Sequence, residues 1–220
     1  MSPGRKPDTL AYYDAHAAEY AEFSRPGPAW LRDLDRFCAL LAPGARVLDL
    51  GCGAGHLALD MIRRGFDVSL IDGSAGLARE AEKRTGRPVR VMRFEDLADA
   101  AAYDGIWASA SLLHVPGDAL GNIMKRINRA LVPGGVLFCS FKALEADLVD
   151  DLGRLYAAMT VPRLEAMLER AGFTPEGSVG ERDGRGADGK AASFLFAYSR
   201  KVRDIQASFT WQPGGPGSPR

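Results

Sequence analysis

Three glycines at alternate positions, preceded by an acidic residue, form the stretch of this sequence best suited to binding chemistry. Their spacing is Asp49-x-Gly51-x-Gly53-x-Gly55, and they follow a short apolar run. Such a run, bounded by glycines, predicts a buried parallel strand that ends in a tight turn. Apolar residues at helical spacing from His56 onward place this turn between a strand and a helix. That junction is where α/β folds bind nucleotides.

The glycine spacing also distinguishes two kinds of nucleotide site. A dinucleotide site needs Gly-x-Gly-x-x-Gly, because the third glycine lets the helix and the strand pack closely. In this chain that position holds His56. The acidic residue at the start of the turn, Asp49, suits a positively charged group, such as the ammonium end of an amino acid. The pattern therefore disfavours a dinucleotide.

Two acidic stretches follow the glycine turn at regular intervals. A strand predicted over residues 67–71 ends in Asp72-Gly73, and Arg93-Phe94-Glu95-Asp96-Leu97 follows the third predicted strand. With the glycine turn, these stretches resemble the class I methyltransferases, which bind S-adenosylmethionine. The resemblance implies that Asp72 accepts hydrogen bonds from both ribose hydroxyls and that Asp96 binds the adenine amino group. The alternatives are a helix cap at Asp72 and a surface acid that caps the next helix at Asp96.

The resemblance implies a cofactor site drawn from several parts of the chain. Its members are Tyr12, Tyr20, Asp49, Gly51, Cys52, Gly53, Gly55, Asp72, Gly73, Glu95, Asp96, Leu97, Ala108 and Ser109. The glycines allow close backbone approach, Asp49 orders the amino-acid end of the cofactor, and backbone groups near Ala108 and Ser109 hold its ammonium. The aromatic-rich helix predicted over residues 9–22 folds over the cofactor, with helix packing alone as the alternative.

The fourth predicted strand begins at Tyr103 and leads through residues 107–113 to His114, in the reaction cleft. Three motifs are absent from it: Asn/Asp-Pro-Pro-aromatic, carboxylate ligands for magnesium, and paired glutamates that hold a guanidinium. We therefore predict no metal site. His114 is the candidate catalytic residue, because a group with a pKa near neutrality can take a proton from an acceptor hydroxyl or thiol. The alternative is that His114 bonds only a backbone group.

The stretch from Trp107 to Pro116 is most similar to the bacterial tellurite-resistance-type branch of the small-molecule methyltransferases. The similarity continues through residues 133–135, 140–142 and 153–156. It implies transfer of a methyl group to a small molecule, such as tellurite or another small metabolite. Lys142 and Arg154 are cations that suit an anionic acceptor, with surface solvation as the alternative for each.

Composition limits the partners. The chain has 220 residues, of which 46% are hydrophobic and 25% charged, which is typical of one globular domain. Lys plus Arg and Asp plus Glu each number 28, so no excess of positive charge favours a nucleic acid. No apolar run approaches the roughly 18 residues of a membrane span, and three cysteines lack metal-ligand spacing. We expect a cytoplasmic monomer or homodimer without nucleic-acid or membrane partners.

The elements that must position these residues are alternating strands and helices. They predict a single-domain, Rossmann-like α/β fold with a seven-stranded, mostly parallel sheet and helices on both faces. We expect a helical lid over residues 1–42, the methyltransferase domain over 43–202 and a disordered tail over 203–220. The last two strands are predicted over residues 176–182 and 191–199.

Two other functions are compatible with such a fold. One is a non-catalytic module that binds S-adenosylmethionine, which the unassigned acceptor site leaves open. The other is an NAD(P)-dependent oxidoreductase, which His56 in place of the third glycine disfavours. The prediction from the sequence is an S-adenosylmethionine-dependent methyltransferase.

Overall fold

A computed structural model describes residues 8–186 and 189–202 of the chain. The strands are β1 (Arg46–Leu50), β2 (Asp67–Asp72), β3 (Val89–Val91), β4 (Tyr103–Ala108), β5 (Leu131–Lys142), β6 (Leu148–Val149), β7 (Leu155–Tyr156), β8 (Phe173–Pro175), β9 (Gly180–Arg185) and β10 (Ala191–Lys201). The helices are α1 (Thr9–Ala15), α2 (Ala17–Phe23), α3 (Pro28–Ala39), α4 (His56–Arg63), α5 (Ala75–Thr85), α6 (Leu120–Ala130) and α7 (Val161–Arg170). Short 3-10 turns span Phe94–Asp96 and Leu112–His114.

The central sheet confirms the predicted Rossmann-like, mostly parallel fold. Its strand order is β3-β2-β1-β4-β5-β10-β8, and the first five strands are parallel to their neighbours. The strand β10 runs antiparallel to β5 and β8, and β9 pairs with β10. The sheet therefore has eight strands in place of the seven predicted. The order reverses between β1 and β4, so the crevice for a ligand lies at the carboxyl ends of these two strands.

The core lies on both faces of this sheet, because side chains alternate along each strand. On one face, Leu48 of β1 packs with buried side chains of α6 and α7. On the other, Val47 belongs to the cluster that includes α3, α4 and α5. The strand ends are thereby fixed from both sides, which holds the turns that follow β1, β2 and β4 in place.

Two local predictions are corrected, and one element was not predicted. The single helix predicted over residues 9–22 is two helices, because the backbone leaves the helical conformation at His16, where φ is −118° and ψ is 21°. The strand predicted over residues 176–182 is replaced by β8 and β9. The β6–β7 hairpin has no signal in the sequence, since its strands are two residues long and carry no periodicity. The tail predicted from residue 203 lies outside the described residues.

The start of α5 agrees with the sequence. Ser74 is its N-cap, and the Ser74 hydroxyl accepts a hydrogen bond from the N–H of Leu77 at 3.1 Å. Within the described ranges, every helix is too short or too polar to cross a bilayer.

Candidate active site

The glycine turn after β1 needs glycine for two different reasons. Gly51, Gly53 and Gly55 have φ values of +80°, +54° and +77°, a left-handed conformation that residues with a side chain rarely adopt. A Cβ at Gly51 would lie 2.4 Å from Cβ of Ser111, so that position also requires the absence of a side chain. At Gly53, the nearest atom to an added Cβ is in the Tyr20 ring at 3.9 Å, so this glycine faces open space. Gly53 therefore leaves its backbone open to a ligand.

Asp72 connects the end of β2 to the glycine turn. Its Oδ2 accepts a hydrogen bond from the N–H of Gly53 at 2.8 Å, and its Oδ1 accepts one from the N–H of Ser74 at 2.8 Å. Burial raises the pKa of Asp72 to about 6, although both hydrogen bonds favour the carboxylate. The N-cap of α5 is Ser74, so Asp72 is not the helix cap named as its alternative. Its carboxyl group bonds two backbone N–H groups and also lines a cavity.

Two cavities meet above the glycine turn. The first, of about 270 Å³, extends toward β2, and we call it the β2 cavity. The second, of about 250 Å³, extends toward β5, and we call it the β5 cavity. Residues that line both are Tyr13, Tyr20, Gly51, Gly53, Ala110 and His114. The two cavities are therefore adjacent, with these six residues in common.

The cavities collect most of the predicted cofactor residues. The β2 cavity is lined by Tyr20, Gly51, Gly53, Asp72, Gly73 and Glu95. The β5 cavity is lined by Tyr20, Asp49, Gly51, Cys52, Gly53 and Ser109. The predicted residues that line neither cavity are Tyr12, Gly55, Asp96, Leu97 and Ala108.

Four of these five residues lie elsewhere for clear reasons. Asp96 is exposed at the end of its 3-10 turn, so the acid that faces the cavity is its neighbour Glu95. Leu97 and Ala108 are buried in the core beneath the cleft. A Cβ at Gly55 would lie 3.0 Å from Cα of Ala81, so Gly55 lets the turn approach α5.

Asp49 is the most deeply buried acid of the cleft. Its exposed fraction is 3%, and it lines the β5 cavity from the carboxyl end of β1. Burial, with the neighbouring Asp72 carboxylate, raises the pKa of Asp49 to about 8. The carboxyl group is thus largely protonated at neutral pH, and a cation placed beside it would favour its ionised form.

Tyr13 is a cleft residue that was missing from the predicted set. Its hydroxyl lies 3.0 Å from Nε2 of His114, whose Nδ1 lies 2.7 Å from the carbonyl oxygen of Leu155. A carbonyl oxygen only accepts, so Nδ1 carries the proton and Nε2 accepts a hydrogen bond from the Tyr13 hydroxyl. Burial lowers the pKa of His114 to about 4, so the ring is neutral. Helical periodicity in the sequence gave no reason to place Tyr13, and not Tyr12, in the cleft. The Tyr12 ring packs against the Arg154 guanidinium.

Both cations predicted near the acceptor are buried, so surface solvation is excluded as their role. Arg154 has no exposed surface and forms an ion pair of 2.7 Å with Asp150. Lys142 is 8% exposed and lines the β5 cavity, where its Nζ lies 3.8 Å from the centre of the Tyr156 ring. Arg154 stands behind the same ring, 5.6 Å from its centre. The wall of the β5 cavity at this point is therefore cationic and aromatic.

The first two helices cover the glycine turn and are attached to α5. Oδ1 of Asp14 accepts hydrogen bonds from the Ser74 hydroxyl at 2.6 Å and from the N–H of Gly76 at 2.8 Å. These bonds, the Ser74 hydroxyl first, lower the pKa of Asp14. A Cβ at Gly76 would lie 2.9 Å from Cβ of Ala17, so glycine permits this close approach.

The strand order, the glycine turn and the paired cavities define an α/β enzyme with a nucleotide crevice. The chain belongs to the family described as "Methyltransferase domain", whose model matches residues 20–176. This family membership confirms the methyltransferase class predicted from the sequence.

Two relatives are named Ubiquinone biosynthesis O-methyltransferase. The protein from Acinetobacter baylyi is 36% identical over 150 residues, which are 61% of this chain and 61% of the relative. The protein from Xanthomonas campestris pv. campestris is 40% identical over 115 residues, which are 49% of this chain and 47% of the relative. The matches thus span about half to three fifths of the length of these curated relatives.

Solved structures share the fold. A SAM-dependent methyltransferase from Methanosarcina mazei has a TM-score of 0.71 and 18% identity, and the match covers 82% of this chain and 100% of that one. A second structure is the 1,6-didemethyltoxoflavin-N1-methyltransferase of Burkholderia thailandensis, solved with 1,6-didemethyltoxoflavin and S-adenosylhomocysteine bound. It has a TM-score of 0.67 and 24% identity, and the match covers 92% of this chain and 93% of that one. At these identities the likeness extends to the fold alone.

Proposed function

We propose that the acceptor of this methyltransferase is a small aromatic molecule and that the methyl group goes to its hydroxyl oxygen. The observation that carries the proposal is the meeting of the β2 and β5 cavities at Tyr13, Gly51 and His114. The β2 cavity suits a nucleoside, because Asp72 and Glu95 line it. The β5 cavity suits a flat acceptor, because Trp30, Tyr156 and Phe194 line it. The relatives named as O-methyltransferases support oxygen as the methylated atom.

The residues of the cleft fit the cofactor. Gly53 presents backbone with no side chain toward the cavity, and Asp72 and Glu95 line the β2 cavity where a ribose and an adenine need acceptors. Asp49, in the β5 cavity, matches the ammonium of the methionine end. In this proposal Asp72 binds the ribose hydroxyls, Glu95 takes the adenine role predicted for Asp96, and Asp49 pairs with the ammonium.

The remaining members of the predicted set have supporting roles in this proposal. Tyr20 covers the glycine turn, and Gly73 lets α1 approach, since a Cβ there would lie 2.8 Å from Cδ2 of Leu10. Cys52 and Ser109 line the β5 cavity. The helices α1 and α2 act as the lid.

When bound, S-adenosylmethionine supplies a methyl group activated by a sulfonium, whose sulfur takes the bonding electrons as the methyl leaves. The protein must then hold the acceptor oxygen in line and exclude water, and positioning of this kind supplies about 7–11 kcal/mol. Tyr13 donates to His114 and keeps oxygen lone pairs that can accept a hydrogen bond from the acceptor hydroxyl. As the new O–C bond forms, the hydroxyl proton passes to Tyr13 while the Tyr13 proton passes to His114.

The pKa of His114 limits its role. A ring whose pKa is about 4 is a weak base, so it accepts the proton only as the O–C bond forms and the acceptor oxygen becomes acidic. His114 therefore acts through Tyr13 and orients it. The sequence predicted His114 as the catalytic residue. In this proposal it is a positioning residue that accepts the Tyr13 proton late in the reaction.

The test compares Asp72→Ala with Asp96→Ala, two acids close to the crevice of which only Asp72 lines a cavity. We expect Asp72→Ala to weaken S-adenosylhomocysteine binding by about tenfold or more, the cost of losing hydrogen bonds to a charged group. Asp96→Ala should leave the affinity within about twofold. Calorimetric titration measures both, and equal effects would contradict the proposed ribose role of Asp72.

Release of S-adenosylhomocysteine, measured by mass spectrometry, identifies the acceptor class. The panel contains phenols and catechols, thiols, and tellurite, the acceptor implied by the sequence resemblance. We expect release with the hydroxylated aromatic compounds above the blank without acceptor. Release with tellurite alone would replace the proposed acceptor, and cofactor binding without any release would favour a binding module.

A further inference from the structure

One end of the β5 cavity is positively charged. Lys142 is the last residue of β5 and lines the cavity, although only 8% of it is exposed. Arg185, the last residue of β9, lines the same cavity, and its Nη1 donates a hydrogen bond to the carbonyl oxygen of Gly189 at 2.8 Å. Two cations from different strands thus face one space, and the hairpin backbone anchors one of them.

The opposite end of this cavity is acidic. Asp49 lies on β1, and the strand order places β4 between β1 and β5. The register places Asp49 level with Trp107 and Trp107 level with Phe138, so Lys142 lies two strands across and four residues farther along. With strands about 4.8 Å apart and a rise of about 3.3 Å per residue, the backbones of Asp49 and Lys142 are roughly 16 Å apart. A cofactor ammonium at the Asp49 side leaves the Lys142 side for the acceptor. The charge along the cavity therefore favours an acceptor whose far end is negative.

The walls between these ends are aromatic. The rings of Trp30 and Phe194 meet edge to face with centroids 5.6 Å apart, and both line the cavity. Trp107 lines its floor, and Tyr156 lines the wall beside Lys142. Aromatic walls favour a flat ring, because offset-stacked and edge-to-face contacts stabilise ring pairs beyond the burial of their area.

We propose that the acceptor is an aromatic carboxylate whose carboxylate is bound by Lys142 and Arg185 while its hydroxyl faces Tyr13. This inference rests on the proposed function and names the substrate class of the same cleft. A carboxylate matches this end of the cavity, because Lys142 and Arg185 line the same space and both can donate hydrogen bonds to its two oxygens. Lys142 and Arg185 are then specificity-determining residues.

The test measures binding to the protein loaded with S-adenosylhomocysteine, so it does not depend on turnover. The ligands are the three isomeric hydroxybenzoates and their uncharged methyl esters. Calorimetric titration measures the affinity of each one. We expect at least one acid to bind about tenfold or more tightly than its ester, as for a hydrogen bond to a charged group. Equal affinity of each acid and its ester for the wild-type protein would overturn the inference.

Variants then test whether Lys142 causes the preference for the acid over its ester. Lys142→Met should abolish the difference between acid and ester, and Lys142→Arg, which keeps the charge, should retain most of it. Lys125→Met is the matched control, because Lys125 is exposed on α6 and should leave the difference unchanged. If Lys142→Met binds the acid as selectively as the wild type, the inference is wrong. Should that variant unfold, Arg185→Met tests the same charge preference from an exposed position.

The inference and the proposed function fail in different ways. A protein that binds no S-adenosylmethionine or S-adenosylhomocysteine contradicts the cofactor site on which both rest. A protein that binds the cofactor and methylates neutral phenols as efficiently as hydroxybenzoates retains its proposed function and contradicts only the carboxylate. Methylation of hydroxybenzoates, with a KM that rises in Lys142→Met and a kcat that changes little, supports both.

Discussion

The hydroxyl of Tyr13 lies 3.0 Å from Nε2 of His114, and these residues are 101 positions apart in the chain. The contact connects α1 to the 3-10 turn after β4 and lies where the β2 and β5 cavities meet. Because Nδ1 of His114 donates to the Leu155 carbonyl oxygen, the direction of the hydrogen bond from Tyr13 is set. The tautomer of one residue thereby orients the hydroxyl of the other.

Tyr13→Phe removes this hydroxyl and leaves Nε2 of His114 without its donor. We expect kcat/KM to fall about 10- to 100-fold, the range for an unsatisfied buried polar group, while cofactor affinity stays within about twofold. Steady-state kinetics with an identified acceptor measures the first quantity and calorimetry the second. Tyr12→Phe is the control, since Tyr12 lines neither cavity. A Tyr13→Phe variant with wild-type kcat/KM would show that the hydroxyl has no part in transfer.

His114→Gln should change how stability depends on pH. The pKa of His114 is about 4 in the folded protein and about 6.5 in an unfolded chain, so the unfolded state binds the proton first as the pH falls. His114 thus contributes stability above about pH 6.5 that is lost as the pH falls toward 4. Urea titrations between pH 7 and 4.5 should show a smaller loss in His114→Gln. Parallel curves for the two proteins would contradict the lowered pKa.

Asp49→Asn should raise the stability of the cofactor-free protein and lower its affinity for the cofactor. The pKa of Asp49 is about 8 in the cofactor-free protein and about 3.9 when unfolded, so the folded state holds the proton longer and stability falls as the pH rises between these values. The variant lacks this loss, and its stability advantage over the wild type should grow up to about pH 8. Thermal melts at pH 6 and pH 8.5 measure that advantage.

Asp49→Asn should also weaken cofactor binding by about tenfold or more, since the ammonium loses its charge partner. Titrations in buffers of different ionisation enthalpy should detect proton release when the wild-type protein binds the cofactor near pH 7, and none in Asp49→Asn. Equal affinities of the two proteins would show that Asp49 does not face the ammonium.

Gly51→Ala and Gly53→Ala form a matched pair in the same turn. Both glycines have positive φ, so each substitution adds backbone strain of about 1–3 kcal/mol. Only Gly51→Ala also forces Cβ to 2.4 Å from Ser111 Cβ, so its free energy of unfolding should fall further. Gly53→Ala points into open space, and its larger effect should be on cofactor affinity. The reverse order in urea unfolding and calorimetry would contradict these assignments.

Local residue spacing determined much of this protein. The glycine turn, Ser74 as N-cap and the acidic residue at the end of β2 were all predictable, because the required backbone conformation and the capping bond depend on neighbours in sequence. The same patterns predicted the alternation of strands and helices and, through the family resemblance, the enzyme class and the cofactor. Spacing also brought Gly51, Gly53 and Asp72 to one crevice, since the carboxyl ends of parallel strands share an edge.

The tertiary structure decided which of two neighbours faces the cleft. Tyr13 lines it instead of Tyr12, and Glu95 instead of Asp96. Tyr12 and Tyr13 are neighbours in α1, and Glu95 and Asp96 are neighbours in a 3-10 turn, so the members of each pair point in different directions. Which member faces the cleft depends on how its element packs against the rest of the fold, and the sequence carries no periodic signal for that. Similarly, Lys142 is buried because β9 and β10 complete the wall around it. Burial and charge pairing come from elements far apart in the chain, so spacing alone does not determine them.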